Sequence, residues 1–240
     1  DYVCTNQKLP ATPMFLKDLP YLRASLDGDA DRIVFYYSEN DRMHILNGDF
    51  IAALIMTYLS KKVQESDELE ICYAYTGYTN QACIDYVRSL RFPPKVQVKM
   101  ICCATGVKHL HNKACKYDIG VYFEQNGHGN VIFNKKPGHL GTLSQFFHPN
   151  IGDGIMDLYA TLYMLQELNM TYIQWSHLFF PNHSILTKHD VQDKNILKTT
   201  ENELKLTKPA YLQNYIDKQC NENTCRAFVR PSGTENCVRL

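Results

Sequence analysis

Residues 25–32 read SLDGDADR and run directly into an apolar stretch, residues 33–37, that is rich in β-branched and aromatic side chains. Three carboxylates stand there at alternate positions, with small residues between them. Carboxylates this close repel one another unless a cation binds them. Hard oxygen ligands suit Mg²⁺, which keeps positions open for water or a substrate phosphate. The spacing therefore predicts a Mg²⁺ site at Asp27, Asp29 and Asp31, with Arg32 placed to meet that phosphate.

A calcium-binding EF-hand loop is the first rival interpretation of this segment. A loop that starts at Asp27 needs Gly at its sixth position and Glu at its twelfth. Arg32 and Ser38 occupy those positions, so the EF-hand pattern fails. A solvated acidic turn remains the alternative to a metal site.

Strand-like and helix-like segments alternate downstream of the acidic stretch. Strands are predicted at residues 33–37, 70–75, 96–102 and 119–123 by their β-branched and aromatic content. Helices are predicted between them, the first capped by Asp49, the second by Thr79 and the third over residues 107–117. This order predicts the α/β class, with mixed, mostly parallel sheets covered by helices.

The second half of the chain begins with a loop at residues 135–148. Asp153 is predicted to cap a long helix, and a shorter helix follows Thr171. A smaller α+β C-terminal domain is predicted from residue 180 onward, where polar residues dominate. It is expected to contain a helix at 209–220 and a strand at 226–229. The long helix is expected to pack its apolar stripe against the core, namely Ile155, Leu158, Tyr159, Leu162 and Leu165.

The composition of the chain bears on which partners it binds and in which compartment it works. Lys plus Arg and Asp plus Glu both number 25, so the net charge is zero, which argues against nucleic-acid and membrane partners. No apolar run approaches the roughly 18 residues of a membrane span. The nine cysteines form no CxxC pair, which argues against zinc and favours reduced thiols in a cytoplasmic protein.

A second functional segment, residues 123–130, reads FEQNGHGN and directly follows a predicted strand. Ligand-binding loops of α/β sheets gather at such strand ends. Glu124 and Asn126 can hydrogen-bond adjacent sugar hydroxyls, and the glycines permit close backbone approach. The segment therefore suggests a sugar-binding loop, although a plain Gly-rich turn remains the alternative.

Two further segments have residues suited to function, one to phosphate binding and the other to proton transfer. Residues 226–236 read RAFVRPSGTEN, with Arg239 beyond, and combine arginines with hydroxyls and a glycine N–H as an anion cradle requires. They are not a Walker loop, because no GxxxxGK occurs. Residues 105–111 read TGVKHLH, so Lys108 and His109 open a helix as candidate acid and base. Ordinary surface charges on that helix are the alternative.

Together these segments suit phosphoryl transfer on a phosphosugar, and their sequences resemble a known family. Residues 27–32 resemble the metal-binding loop of the α-D-phosphohexomutases, and residues 230–235 resemble their phosphate-binding loop. Residues 124–129 and 105–111 are similar to the phosphoacetylglucosamine mutases within that superfamily. Gln125 departs from this subgroup, which usually has Ala there.

The resemblance implies four domains around one cleft, of which residues 1–45 would end the second, 46–178 form the third and 179–240 belong to the fourth. It implies interconversion of N-acetylglucosamine 6-phosphate and 1-phosphate, on the route to UDP-N-acetylglucosamine. The reaction would use Mg²⁺, a phosphoserine and a 1,6-bisphosphate intermediate. The predicted substrate-binding residues are Arg32, Glu124, Gln125, Asn126, His128, Arg230, Pro231, Ser232, Gly233, Thr234 and Arg239.

One motif of the family, the Thr-Ala-Ser-His-Asn-Pro nucleophile loop, does not occur in the 240 residues. The resemblance therefore implies a serine upstream of Asp1, and these 240 residues are expected to be a C-terminal portion that does not turn over substrate alone. Two other functions stay open: a mutase acting on glucose or mannose phosphate, and a non-catalytic phosphosugar-binding protein.

Overall fold

The computed structural model describes residues 21–40, 42–223, 225–233 and 235–240. It begins with a three-stranded antiparallel sheet in the order β1 (Arg23–Leu26), β2 (Ile33–Glu39) and β3 (Arg42–Leu46). The strand predicted at residues 33–37 therefore exists, but its expected place in a parallel layer is wrong. Short turns connect β2 to both neighbours, whereas a parallel pair needs a crossover of about a dozen residues or more.

A second sheet of four strands follows, in the order β5-β4-β6-β7. Strand β4 pairs in parallel with both β5 and β6, while β7 runs antiparallel to β6. The sheet is thus mixed and mostly parallel, as predicted, although β7 was not foreseen in its Gly-rich segment. The strands are β4 (Leu69–Thr76), β5 (Val96–Cys103), β6 (Ile119–Phe123) and β7 (Gly129–Phe133).

Three helices, α1 (Gly48–Lys62), α2 (Gln81–Ser89) and α3 (Val107–Ala114), alternate with β3 to β6 along the chain. The caps predicted at Asp49 and Thr79 are wrong. Asn47 caps α1 by accepting from the Asp49 N–H, and Asn80 caps α2 by accepting from the Ala82 N–H. An Asn amide oxygen fills the capping position in each case, which leaves the Asp49 carboxylate available for other contacts.

The next helices are α4 (Gly141–Ser144), α5 (Gly154–Glu167) and α6 (Tyr172–Ser176), with a 3₁₀ turn at Gly138–Leu140 before α4. Asp153 caps α5 and Thr171 caps α6, as predicted. The predicted inward face of α5 is largely wrong, because Ile155, Tyr159 and Leu162 are about half exposed while Ala160, Thr161 and Met164 are buried. Apolar side chains occur on every face of this helix, so their periodicity alone does not show which face packs against the core.

The remainder is built of short strands around one helix, α7 (Ala210–Asn223). A three-stranded sheet has the order β11-β12-β8, and β9 pairs with β10. The strand predicted at residues 226–229 is wrong, since β11 begins only at Arg230. The strands are β8 (Lys188–Asp190), β9 (Lys198–Thr199), β10 (Leu206–Lys208), β11 (Arg230–Pro231) and β12 (Cys237–Arg239), and a 3₁₀ turn covers Lys194–Ile196.

Helix α1 lies at the centre of the main core, buried from Gly48 to Leu59, and side chains of both β2 and the four-stranded sheet belong to the same cluster. Trp175 is fully buried there and donates from Nε1 to the Phe50 carbonyl, 2.9 Å away. The eight described cysteines are all free thiols. Among the described residues, no helix is both long and apolar enough to cross a bilayer.

Candidate functional site

The predicted metal ligands converge in the turn between β1 and β2. One oxygen each of Asp27, Asp29 and Asp31 lies within 4.8 Å of the others. Ala30 has a positive φ of 60° and donates its N–H to the Asp27 carbonyl at 3.3 Å, which closes the turn. Gly154, at the start of α5, donates its N–H to the Ala30 carbonyl at 2.9 Å. The turn is thus held in a shape that brings three carboxylates to one point.

The donor set of this turn fits a hard divalent cation. Arg32 Nε lies 3.4 Å from Asp27 Oδ2 and 3.5 Å from Asp31 Oδ1, so one arginine faces two of the three carboxylates. Asp31 Oδ1 is buried and has no hydrogen-bond partner among the described residues. The ion pair with Arg32 partly offsets the cost of burying this oxygen, and a cation coordinated by all three aspartates would satisfy it.

The predicted sugar loop, residues 123–130, lies directly against the metal turn through its residues 127 and 128. His128 Nε2 is 3.4 Å from Asp31 Oδ2, and a β-bridge joins His128 to Arg32. Ile33 donates its N–H to the carbonyl of Gly127 at 3.3 Å. Gly127 has a φ of 88°, and a Cβ there would collide with the Ile33 backbone. The metal turn and the sugar loop therefore form one continuous structure.

Within the loop, two polar side chains are held next to each other. Glu124 Oε1 accepts from the Gly106 N–H at 3.0 Å, and Glu124 Oε2 accepts from Asn126 Nδ2 at 3.4 Å. Asn126 Oδ1 accepts from the His128 N–H at 3.0 Å. Each carboxylate oxygen keeps a second lone pair, so Glu124 and Asn126 can still bind neighbouring hydroxyls.

Gln125 extends away from this pair toward a residue that sequence reasoning took only for a helix cap. Its Nε2 donates to Asp49 Oδ2 at 2.9 Å, and the Asn80 N–H donates to the same oxygen at 3.0 Å. Asp49 is only 1% exposed. Burial raises the pKa of Asp49 to about 6, against a smaller opposing effect of the hydrogen bonds from Asn80 and Gln125.

The predicted phosphate loop begins in β11, at Arg230, which is 8% exposed. Arg230 Nε donates to the Tyr78 hydroxyl at 2.8 Å, and the guanidinium carbon lies 5.2 Å from the centre of the Tyr78 ring. The Ser232 N–H donates to the Cys237 carbonyl at 2.9 Å, while Pro231 pairs with β12. Gly233 is exposed at the tip, and Thr234 lies outside the described residues.

Two more cations meet at the end of this loop. Glu235 Oε1 accepts from Lys188 Nζ at 2.7 Å, and Glu235 Oε2 accepts from Arg239 at 3.1 Å. The hydrogen bond from Lys188 lowers the pKa of the Glu235 carboxyl, and the one from Arg239 adds to this. Lys188, which no motif in the sequence had singled out, thus shares the Glu235 carboxylate with Arg239 at this end of the loop.

Consecutive backbone amides connect the phosphate side to the sugar loop. Thr105 donates its N–H to Glu203 Oε2 at 3.0 Å, and the next residue, Gly106, donates to Glu124 as described above. The same oxygen of Glu203 lies 3.6 Å from Arg230 Nε. Helix α3 begins just beyond, so the exposed Lys108 and His109 lie in its first turn next to this junction. Sequence reasoning missed Glu203 because it lies in a polar turn without a motif.

Comparisons with known proteins agree with one another. A family model described as phosphoacetylglucosamine mutase AMG1, domain III, matches residues 47–141. The phosphoacetylglucosamine mutase of Candida albicans is 37% identical over 264 residues, which covers 100% of this chain and 47% of the relative. The human phosphoacetylglucosamine mutase is 36% identical, with the same coverage of both chains.

Solved structures match over nearly the whole chain. An N-acetylglucosamine-phosphate mutase in its substrate complex superposes with a TM-score of 0.87 at 37% identity, covering 99% of this chain and 48% of that one. The Aspergillus fumigatus N-acetylphosphoglucosamine mutase in complex with GlcNAc-6P and magnesium gives a TM-score of 0.86 at 32% identity, covering 99% and 51%.

The fold and its three loops thus define the class, an α-D-phosphohexomutase. Within that superfamily, the chain matches phosphoacetylglucosamine mutases over at least 99% of its length, at 36–37% identity. It spans about half the length of the curated relatives it matches, 47% of the Candida albicans protein.

Proposed function

We propose that the protein interconverts N-acetylglucosamine 6-phosphate and N-acetylglucosamine 1-phosphate, through a phosphoserine and a 1,6-bisphosphate intermediate. The observation that carries this proposal is the connection of three loops by direct contacts. Arg32 and His128 join the metal turn to the sugar loop, and Glu124, the 105–106 amides and Glu203 join the sugar loop to Arg230. Phosphoryl transfer needs this arrangement, because positioning and charge neutralisation supply most of its catalysis.

Each part of the site has a distinct task in this proposal. Mg²⁺ held by Asp27, Asp29 and Asp31 would neutralise charge on the phosphoryl group during transfer. Glu124 and Asn126 bind hydroxyls and so orient the sugar. The loop from Arg230 to Arg239 holds the phosphate that is not reacting, by charge-assisted hydrogen bonds.

Proton transfer is also needed. The sugar hydroxyl that attacks the phosphoserine must lose a proton, and the sugar oxygen that later gives up its phosphate must gain one. Lys108 and His109 are the proposed carriers, because both are exposed in the first turn of α3, beside the amide that holds Glu124. The domain boundaries at residues 45 and 178 and a cytoplasmic location are also part of the proposal. The zero net charge argues against a nucleic-acid or membrane partner and is compatible with a small anionic substrate held by a few local cations.

A binding and turnover experiment tests the proposal. The chain is titrated calorimetrically with N-acetylglucosamine 6-phosphate and glucose 6-phosphate, with Mg²⁺ and with EDTA. The complete polypeptide that contains these residues is assayed for N-acetylglucosamine 1-phosphate with the 1,6-bisphosphate activator. We expect Mg²⁺-dependent turnover and a preference for the N-acetylated sugar. Equal or better use of the glucose ester would favour a different phosphohexomutase, and binding without turnover would favour a non-catalytic phosphosugar-binding protein.

A further inference from the structure

Asp49 is a buried carboxylate at which three segments distant in sequence meet. Its Oδ2 atom accepts from Gln125 of the sugar loop and from the backbone N–H of Asn80 in the turn after β4. Gly48, the residue before it, donates its N–H to the Gln125 carbonyl at 3.3 Å. The first turn of α1 therefore hydrogen-bonds both the side chain and the backbone of Gln125.

Asn80 extends these contacts to the segment that leads into the C-terminal part of the chain. Its Nδ2 donates to the Asn182 carbonyl at 2.9 Å, and its Oδ1 accepts from the Asn182 N–H at 3.0 Å. Asp49 and Gln125 also line a cavity of about 220 Å³ whose other side is formed by Phe179, Pro181, Asn182 and Ser184. The sugar loop and the start of the C-terminal part thus share Asp49 as a common anchor.

The charge of Asp49 has few neighbours to offset it. Oδ2 accepts both hydrogen bonds, while Oδ1 has no partner with hydrogen-bond geometry among the described residues. The Thr79 hydroxyl nevertheless makes a small contribution that lowers the pKa of this carboxyl. The charged and titratable groups that face it are Arg226, the Cys83 thiol and the Tyr73 hydroxyl, of which Arg226 alone is a cation. In such surroundings, an ionised acceptor holds an amide donor about twice as strongly as a neutral one.

We propose that Asp49 is a positioning residue for the substrate: its carboxylate holds Gln125, and Gln125 fixes the sugar loop so that Glu124 and Asn126 meet the sugar hydroxyls. The inference rests on the function proposed above, since it concerns the affinity of the same sugar loop. It gives Gln125, the one position where the loop departs from the family pattern, the task of linking the loop to α1.

Ionisation of Asp49 makes the affinity for a sugar phosphate depend on pH. Its pKa of about 6 lies inside the experimental range. Protonation removes the charge that strengthens the bond from Gln125, so the sugar loop is held less firmly as pH falls through this value. Inorganic phosphate has no sugar hydroxyls for Glu124 and Asn126 to bind, so its affinity should not depend on this bond.

The test is a double-mutant cycle measured by calorimetry from pH 5 to pH 8, with Mg²⁺ present. Asp49→Asn, Gln125→Ala and the double variant are titrated with N-acetylglucosamine 6-phosphate and with inorganic phosphate. Asp157→Asn is the matched control, because Asp157 is also a buried carboxylate, 3% exposed, but lies on α5. Circular dichroism verifies that each variant is folded, and Gln125→Ala carries the test if Asp49→Asn fails to fold.

At pH 7.5, each single variant should bind the sugar phosphate about fivefold more weakly, as expected when one intramolecular hydrogen bond that positions the loop is lost or weakened. The double variant should be no weaker than either single one, because both substitutions break the same link. Affinity for inorganic phosphate at this pH should be the same in all variants. The fall in sugar-phosphate affinity near pH 6 should be smaller in Asp49→Asn than in the unsubstituted chain, because the ligand's own phosphate, with a second pKa of about 6, still titrates there.

Two failures are distinguishable in this experiment. An unsubstituted chain that binds inorganic phosphate but no sugar phosphate would overturn the proposed function itself. If the unsubstituted chain and Asp49→Asn bound the sugar phosphate with equal affinity at every pH, the role of Asp49 would be overturned and the proposed function would stand. Additive effects in the double variant would also overturn it, because the two residues would then act separately.

Discussion

Asp29 is the most exposed of the three carboxylates in the metal turn, and it differs from its neighbours in its contacts. Asp27 and Asp31 both face Arg32, and Asp31 also faces His128. No ion pair with Asp29 occurs among the described residues. Its carboxylate can therefore be changed with little effect on the protein's own contacts, which makes it the sharpest probe of metal binding.

We predict that Asp29→Asn lowers Mg²⁺ affinity about tenfold or more, because one anionic oxygen ligand is lost from a site of three. Calorimetric titration of the folded variant with MgCl₂ measures this. Asp190→Asn, which removes an exposed carboxylate on β8, controls for the change in net charge. Unchanged affinity in Asp29→Asn would show that the three aspartates form only a solvated acidic turn.

Arg230 offers a second test at the level of one side chain. Tyr78 fixes its Nε atom, so the planar guanidinium group is oriented before any ligand arrives. We predict that Arg230→Lys keeps the charge but weakens binding of N-acetylglucosamine 6-phosphate by roughly 1.5–3 kcal/mol, because a lysine cannot make the bidentate contact. Binding of free N-acetylglucosamine should not change. Equal weakening of both ligands in calorimetry would show that the loop does not hold the phosphate.

The metal site could be predicted from sequence because all its ligands lie within five consecutive residues. The same holds for Glu124 and Asn126, which are two positions apart. Asp49, Tyr78 and Glu203 could not be predicted, since each acts on a residue far away in the chain: Asp49 on Gln125, and the other two on Arg230. Only the folded chain brings such pairs together.

At the level of secondary structure, β-branched runs and capping residues located most elements. The strand predicted at residues 226–229 failed because tertiary contacts there override local preference. Residues 226–229, predicted as a strand, instead pack against the turn after β4: Arg226 donates to the Thr79 carbonyl at 2.6 Å, and the Phe228 ring lies 5.1 Å from that of Tyr78. A local pattern contains no information about such a partner.

The hairpin between β6 and β7 carries the sugar loop, and its shape depends on one glycine. Gly127 has a φ of 88° and touches the Ile33 backbone, so a side chain there is both strained and obstructed. We predict that Gly127→Ala weakens Mg²⁺ and sugar-phosphate binding together, each by about fivefold or more, because the metal turn and the loop share this contact. Calorimetry with each ligand measures both effects.

Gly138→Ala is the control for this substitution. Gly138 begins the 3₁₀ turn before α4, and no atom lies within 4 Å of a Cβ built there. Its replacement should leave both affinities unchanged. If Gly127→Ala reduced sugar-phosphate affinity alone, the metal turn would be independent of the hairpin, and the contact at Ile33 would not couple them.

At the scale of the whole molecule, buried carboxylates make the free energy of unfolding depend on pH. Asp49 and Asp157 are both nearly inaccessible, and burial raises the pKa of each. A raised pKa means that the native state retains a proton that the unfolded chain has already lost. For Asp49, the native value is about 6 and the ordinary value 3.8, so its contribution to stability is complete below pH 3.8 and is lost as pH rises through about 6.

We therefore predict that Asp49→Asn removes a pH-dependent loss of stability. A difference of about two pKa units corresponds to about 3 kcal/mol between pH 3.8 and pH 7. Denaturant unfolding from pH 4 to pH 7.5 should show a shallower decline in the variant than in the unsubstituted chain. Asp157 contributes equally to both proteins, and Asp190→Asn, an exposed control, should leave the decline unchanged. Parallel curves for Asp49→Asn and the unsubstituted chain would show that Asp49 is ionised in the folded protein even at pH 4, and that the pH dependence of sugar-phosphate binding has another origin.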